Sequence, residues 1–370
     1  MNACERGTPR VPNSRLLSIY RGLRWPLLLL AVTGLLLFAA WRLTRPDIIR
    51  WDDTVEYWAA GRLNATGQNP YDPHLLLRLE RESGRPLEDP LILMMWNPPW
   101  LLALTMPLGL LPYPLARALW FLIHLDIIFF ASAQVSKQEG FSPPSRQVLA
   151  FFFGLSFAPT LGVMKAGQIT PLMLLAPIGF LYSFRRQRWV LAGAAASLSL
   201  IKPHLLYLFL AAVVLDGLAH RRWAVLLGLV GALVVSSGLA TLANPQVWGQ
   251  YVHALVHYPP RDWTTPTLGG LLRLLLGVDR FWLQFLPPAL GLLWLLVYWH
   301  RHRSNWLWEH HLPILVLVST VTAAYGWSFD LVVVLVALIP ALIRLLEVRQ
   351  RPAAISLLAA YFIVDGISLF

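Results

Sequence analysis

The fold class that the sequence predicts is an all-α polytopic membrane protein, and three observations predict it. Of the 370 residues, 57% are hydrophobic and only 13% charged, about half the charged share of an ordinary soluble domain. Apolar runs approaching the ~20 residues that cross a bilayer recur along the chain. Between them stand short arginine clusters such as Arg185, Arg186 and Arg188, the pattern of cytoplasmic loops. The same clusters account for the net charge of +11 without a nucleic-acid partner. The single cysteine, Cys4, excludes an intrachain disulfide or a thiolate metal site.

Residues 1–24 carry Arg6, Arg10, Arg15, Arg21 and Arg24 and read as a cytoplasmic tail. The first span covers residues 25–43. It is too long for a signal peptide and lacks a small-residue cleavage site, so it stays as a helix. Residues 44–113 then form an external loop holding Asp47, Asp52, Asp53, Glu56, Asp72, Glu80, Glu82, Glu88 and Asp89, close to half of the 19 acids. Within it Val55, Trp58, Ala59 and Leu63 share one helical face, which suggests juxtamembrane helices lying at the interface. The apolar piece 96–111 is short and interrupted by Pro98, Pro99 and Pro107. If it spanned, Arg185–Arg188 and Arg221–Arg222 would both fall outside, so it is read as re-entrant or interfacial. Irregular backbone at that depth survives only inside protein or beside a cavity.

Residues 114–370 make the bundle. Its spans lie near 114–134, 148–163, 169–184, 189–201, 205–218, 223–242, 281–299, 312–324, 331–345 and from 353 onward, about eleven in all with the first. A second external loop covers 243–280. This parity sends Asp52, Asp53, Asn97, Lys165, Gln168, Lys202, His204, Arg261 and Asp330 to external helix ends. Polar side chains near membrane depth are costly and mark function. Their convergence on one face points to an external active site. A transporter or flippase of lipid-linked sugars is the alternative, but such proteins show internal repeats and midplane charges, and no repeat is visible here.

Several of these residues have two readings. Asp53 can serve as a general base, or it can form a capping box with Glu56 over Asp53-Thr54-Val55-Glu56. Lys202 can bind an anion at a helix start or snorkel to headgroups. Gln168, Asn97 and Asp330 can cap helix ends or contact a ligand. His253 and His257 have i, i+4 spacing and could bind zinc with a third ligand, but no HExxH-type context accompanies them, and no metal or cofactor is expected.

Five motifs in order then carry a resemblance: Asp53 with Tyr57 four residues on, followed by Ala59-Ala60 and Gly67-Gln68-Asn69-Pro70-Tyr71; Asn97-Pro98-Pro99; Gly167-Gln168 with Lys202-Pro203 one hairpin later; Thr267-Leu268-Gly269-Gly270-Leu271-Leu272-Arg273; and Tyr325-Gly326-Trp327-Ser328-Phe329-Asp330. The chain resembles the family-87 glycosyltransferases, polyprenyl-phosphate-mannose-type enzymes of the GT-C superfamily. It departs from them in the extra acid Asp52 and in Thr267, where the family often has Asn. The resemblance implies a GT-C-type fold in a bacterial plasma membrane. It also implies an inverting hexosyltransferase that moves a sugar, mannose first among candidates, from a polyprenyl-phosphate donor to a lipid or envelope-glycan acceptor. Asp53, which keeps the spacing to Tyr57, would be the base. Asp52, Tyr57, Asn97, Gln168 and Asp330 would support it, and Lys202, His204, Arg261 and Arg273 would meet the donor phosphate.

Overall fold

The computed structural model describes residues 33–34, 36–42, 45, 53–86, 91–138, 144–259, 263–347 and 351–368. Most of the tail and first span, and with them Asp52 and Arg261, lie outside the described residues. Among the described residues the regular structure is entirely helical. Four helical stretches are long and apolar enough to cross a membrane: Tyr113–Ser136, Trp223–Ala243, Phe281–Asn305 and Ser328–Leu345. The pair Gln147–Ser156 and Ala158–Ala166, bent by 60°, makes a fifth if it counts as one crossing. The structure thus supports a helical membrane protein with four to five spans by length and composition. It does not establish the expected eleven. Other apolar helices, such as Trp189–Ile201 and Tyr207–Ala219, are shorter.

The segment after the first span is not a surface element. Helix α1 (Thr54–Ala65) is buried from Thr54 to Asn64 except at Arg62. The single apolar face read from the sequence is therefore too narrow, because α1 is enclosed by protein on nearly every side. It ends in a Schellman turn. Gly67 adopts φ +72°, its N–H donates to Asn64 O at 3.0 Å, and Gln68 N–H donates to Leu63 O at 2.8 Å. Helix α2 (Pro73–Glu82) starts on Asp72, whose carboxylate accepts from His74 N at 2.8 Å and Leu75 N at 3.1 Å. The intervening Tyr71 is fully buried and donates to Asn97 O at 3.1 Å.

Residues 96–111 contain a 3-10 turn (Pro99–Leu101) running into α3 (Leu102–Gly109). Eleven residues from Pro99 to Gly109 rise about 16 Å, well short of the ~30 Å hydrocarbon core. Helices α1 and α3 pack backbone on backbone. A Cβ on Gly61 would collide with the Thr105 carbonyl, and one on Gly109 with Arg62 N. That contact fixes the position of α1, and hence of Asp53 at its start, relative to the rest of the chain.

The bundle continues with α4 (Tyr113–Gln138), α5 (Pro144–Ser156), α6 (Ala158–Ala166), α7 (Thr170–Arg185), α8 (Trp189–Ser197), α9 (Tyr207–Ala219) and α10 (Trp223–Ala243). After it come α11 (Val247–His257), α12 (Leu268–Leu276), α13 (Leu286–His302), α14 (Trp308–Val321), α15 (Leu335–Glu347) and α16 (Arg351–Ser368). Helix α10 keeps Leu227, Val230, Val234, Val235 and Leu239 exposed, an apolar stripe suited to lipid. Three corners of the bundle carry polar residues between apolar helices: 166–170 between α6 and α7, 198–206 between α8 and α9, and 322–334 between α14 and α15.

Candidate active site

The three corners and the start of α1 meet. At the first corner Gly167 ends α6 in the left-handed conformation at φ +66°, where a Cβ would be strained. Two outside groups grip this corner. Trp120 of α4 donates its indole N–H to Gly167 O at 2.7 Å, and Asp53 N–H donates to Ala166 O at 2.6 Å. The second corner is held by the segment before α3: Asn97 Nδ2 donates to Ile201 O at 2.9 Å and Trp100 Nε1 to Leu200 O at 3.1 Å. Asn97 is thus a strut under the turn that carries Lys202, and its side chain also faces the cavity. At the third corner Asp330 is the third residue of the 3-10 turn Ser328–Val334. Its Oδ2 accepts from Trp327 N at 3.0 Å.

One polar chain links all of them. Gln168 Nε2 donates to Asp53 Oδ2 at 2.6 Å. Its Oε1 accepts from Tyr57 OH at 2.8 Å and from Lys202 Nζ at 2.9 Å. Lys202 also donates to Thr170 Oγ1 at 3.2 Å and to Asp330 Oδ1 at 2.8 Å, and Thr170 bonds the same Asp330 oxygen. The Lys202 and Asp330 side chains are 12% and 3% exposed, so this ion pair is shielded from bulk water. The capping box proposed for α1 does not form. Asp53 occupies the N-cap position, but its side chain makes no cap hydrogen bond and turns to Gln168 instead.

Beside this chain lies a cavity of about 270 Å³, at the low end of small-ligand pockets. Its wall includes Gln168, Lys202, His204, Asp330 and Tyr57, and also Trp96, Trp263 and Trp327, with Trp263 edge-on to each of the other two. Asp53 stands one residue behind the wall, screened by Gln168. Glu56, one turn further along α1, is in the wall itself. Burial, and then the negative charge of Asp53, push the Glu56 carboxyl well above the usual carboxylate range. Burial, followed by Glu56 and Asp53, likewise raises the Tyr57 phenol, which stays protonated as the donor to Gln168. His204 is pushed down to about 4, first by burial and then by Lys202. It therefore meets a ligand as a neutral ring.

Arg273 is placed elsewhere. It is buried in the seat of α12, donating to Val278 O at 3.0 Å, Trp263 O at 3.1 Å and Gln284 Oε1 at 3.3 Å. These bonds anchor the loop that carries Trp263, and Arg273 does not line the cavity. His253 and His257 stack on each other at 3.9 Å on α11. Among the described residues no group of three or more His, Cys, Asp or Glu side chains is arranged to hold a metal. Sequence reasoning missed Glu56 as a wall residue, Thr170 as the third partner of Lys202, and Trp263. Glu56 did carry a signal, since i, i+3 spacing puts it on the same side of α1 as Asp53.

The family model for glycosyltransferase family 87 matches residues 96–367. The chain belongs to this family. The matched stretch contains Asn97, Gln168, Lys202, His204 and Asp330, and begins after Asp53 and Tyr57. No curated protein and no solved structure matches the chain. Family-87 membership carries glycosyl transfer as the activity of the chain. The protein is accordingly a membrane glycosyltransferase, with a sugar donor and an acceptor as its substrates.

Proposed function

We propose that this glycosyltransferase moves a hexose, with mannose the leading candidate, from a polyprenyl-phosphate donor to a lipid or envelope-glycan acceptor on the external face of a bacterial plasma membrane, with inversion at the anomeric carbon. The observation that carries this reading is the chain Asp53–Gln168–Lys202–Asp330, of which Gln168, Lys202 and Asp330 line one cavity and Asp53 stands behind Gln168. A carboxylate suited to take a proton and a cation suited to receive a phosphate share one bridging amide, which supports this reading.

In the reaction the acceptor hydroxyl oxygen bonds the anomeric carbon as the carbon–oxygen bond to the phosphate breaks. The hydroxyl proton passes to Asp53. The leaving polyprenyl phosphate keeps the bonding electron pair, and its charge is met by Lys202. No second acid is needed, because the leaving group departs as a stable anion. As the residues stand, Gln168 holds both partners: its N–H₂ occupies Asp53 and its carbonyl occupies Lys202. Rotation of this one amide frees a carboxylate oxygen and an ammonium N–H together, so substrate entry and activation of the site are a single event. Polar contacts of this kind commonly rearrange between the empty enzyme and its Michaelis complex.

A lipid-linked donor is supported by a second void. An apolar groove of about 630 Å³ is lined by Leu271, Leu274, Leu317, Leu331 and Leu338. Thr265 and Thr267 in its wall are close in sequence to Trp263 of the cavity, and Thr267 lies against Ala324, next to the cavity residue Tyr325. A prenyl chain would lie in the groove while its phosphosugar enters the cavity. The test is to incubate membranes containing the protein with labelled polyprenyl-phosphate mannose, glucose and arabinose and to identify the product and its anomeric configuration. One donor is expected to give an α-linked product from a β-linked phosphosugar. A retained configuration, or no product from any lipid-linked donor, would overturn the reading.

A further inference from the structure

Every charged group in the polar chain is already committed to a partner, with one exception in the same wall. Asp53, Lys202 and Asp330 each take at least one side-chain hydrogen bond. Glu56 takes none from any side chain among the described residues, although it is only 7% exposed and lies beside the Trp96 backbone amide. Glu56 is one of the residues that line the cavity. A buried carboxyl without a side-chain partner is costly. An apolar side chain would fill the same space on a helix that is buried on nearly every side. The same cavity is lined by Trp96, Trp263 and Trp327. Indole rings and a hydrogen-bonding carboxyl lining one cavity suit a sugar ring, whose C–H face packs on aromatic carbon while its hydroxyls need polar partners.

We propose that Glu56 is a specificity-determining residue, whose carboxyl hydrogen-bonds one hydroxyl of the sugar held in the cavity and so selects which sugar is bound. This rests on the reading of the cavity as the sugar site. It does not depend on which lipid carries the sugar or on Asp53 as base. Burial, and then the charge of Asp53, push the Glu56 carboxyl well above the usual carboxylate range, towards its neutral form. In that form it donates to the hydroxyl oxygen as well as accepting from it, and adds no second negative charge beside the departing phosphate. A site built to bond a hydroxyl discriminates sharply against a sugar lacking it, since the protein group is then left buried and unmatched.

The experiment is saturation-transfer NMR on the detergent-solubilised full chain with methyl glycosides of mannose, glucose and galactose, and with the monodeoxy series of whichever binds. The wild type is expected to bind one parent glycoside about tenfold more tightly than one of its deoxy analogues. Glu56→Leu is expected to lose that preference for the same analogue and no other, and Glu56→Gln to keep most of it. A Glu56→Leu protein that retains the full hydroxyl preference overturns the assignment, as does a wild type that binds no glycoside. Circular dichroism and detergent melting of each variant show whether a loss reflects unfolding. Transfer from labelled donors is measured on the same preparations. Glycoside binding that depends on Glu56 without any transfer leaves this assignment standing and removes the proposed reaction. Transfer with unchanged sugar selectivity in Glu56→Leu does the reverse. Loss of kcat in Glu56→Gln, with KM and selectivity unchanged, would make Glu56 the base and also overturn the assignment.

Discussion

Helix α9 has a buried charge cluster at each end, and the two are built differently. Just before its first residue, Lys202 pairs with Asp330 and reaches Gln168, and through it Asp53. Near its last residue, Asp216 accepts from His220 Nδ1 at 2.8 Å, Arg222 Nη1 at 2.9 Å and Trp308 Nε1 at 3.2 Å. Both carboxylates are almost inaccessible to solvent. The Asp216 cluster is mostly local, with two of its partners four and six residues away. Arg222 continues onto the face of Phe184 at 4.6 Å. The cluster staples the α9–α10 turn to α14 and is filled by its own side chains. The Lys202 cluster instead joins residues 128 positions apart, and Gln168 joins others 115 apart. It borders a cavity. A buried ion pair alone is thus weak evidence of function. Polar groups brought together from distant segments around an empty volume are stronger evidence.

The contrast can be broken most directly at Asp53. Asp53→Asn should lower kcat by about 10³, measured as product from labelled donor in membranes, with insertion and detergent melting unchanged. Transfer at the wild-type rate would end the assignment of Asp53 as base. Lys202→Met should cost about 10² in transfer and also destabilise the fold by leaving Asp330 unpaired. The double variant Lys202→Met/Asp330→Asn should melt close to wild type yet stay inactive. Recovery of activity in the double variant would show that the pair is structural, like Asp216. At the other end of α9, Asp216→Asn should cost about 1–2 kcal/mol of stability, because His220 and Arg222 are partly solvated. Turnover per folded molecule should stay within about twofold. A large drop in turnover there would erase the distinction between the two clusters.

The smallest expected effect is a pH dependence. The folded pKa of Glu56 lies above its unfolded value. Its contribution to stability is therefore fully present below about pH 4.3 and is lost as pH rises through the folded value. Melting of the wild type in detergent should fall over that window relative to Glu56→Gln, which has no such group. Parallel melting curves for the two proteins across the window would contradict a raised Glu56.

Much of this site could be read from the sequence because helix ends are legible. Gln168, Lys202 and Asp330 each follow or begin an apolar run, and charge parity put them on one side without any knowledge of packing. The spacing from Asp53 to Tyr57 similarly picked out two residues that share one partner, Gln168. What could not be read were the faces of enclosed helices. An apolar stripe identifies the inward side only where the other side meets water, and α1 has almost no such side. Glu56 therefore looked like half of a capping box. Arg273 misled for a related reason. A cation in an apolar helix looks the same in sequence whether it awaits an anion or is spent on backbone carbonyls, as this one is. Bends hide the number of spans from a hydropathy reading. The 60° break between Ser156 and Ala158 leaves hydropathy intact while changing how far the chain travels.

The wide separation of the paired residues also has a consequence for biosynthesis. At ordinary rates of translation, the 128 residues between Lys202 and Asp330 take on the order of ten seconds to make. For that interval the newborn chain has a buried-to-be ammonium at a helix end and no counter-ion. The first half of the molecule can dock α1 on α3 and fold the corner at Gly167, but it cannot neutralise Lys202. Closing of the ion pair is then among the last steps of maturation. A chain that stalls before Asp330 carries an exposed charge that distinguishes it from a finished enzyme.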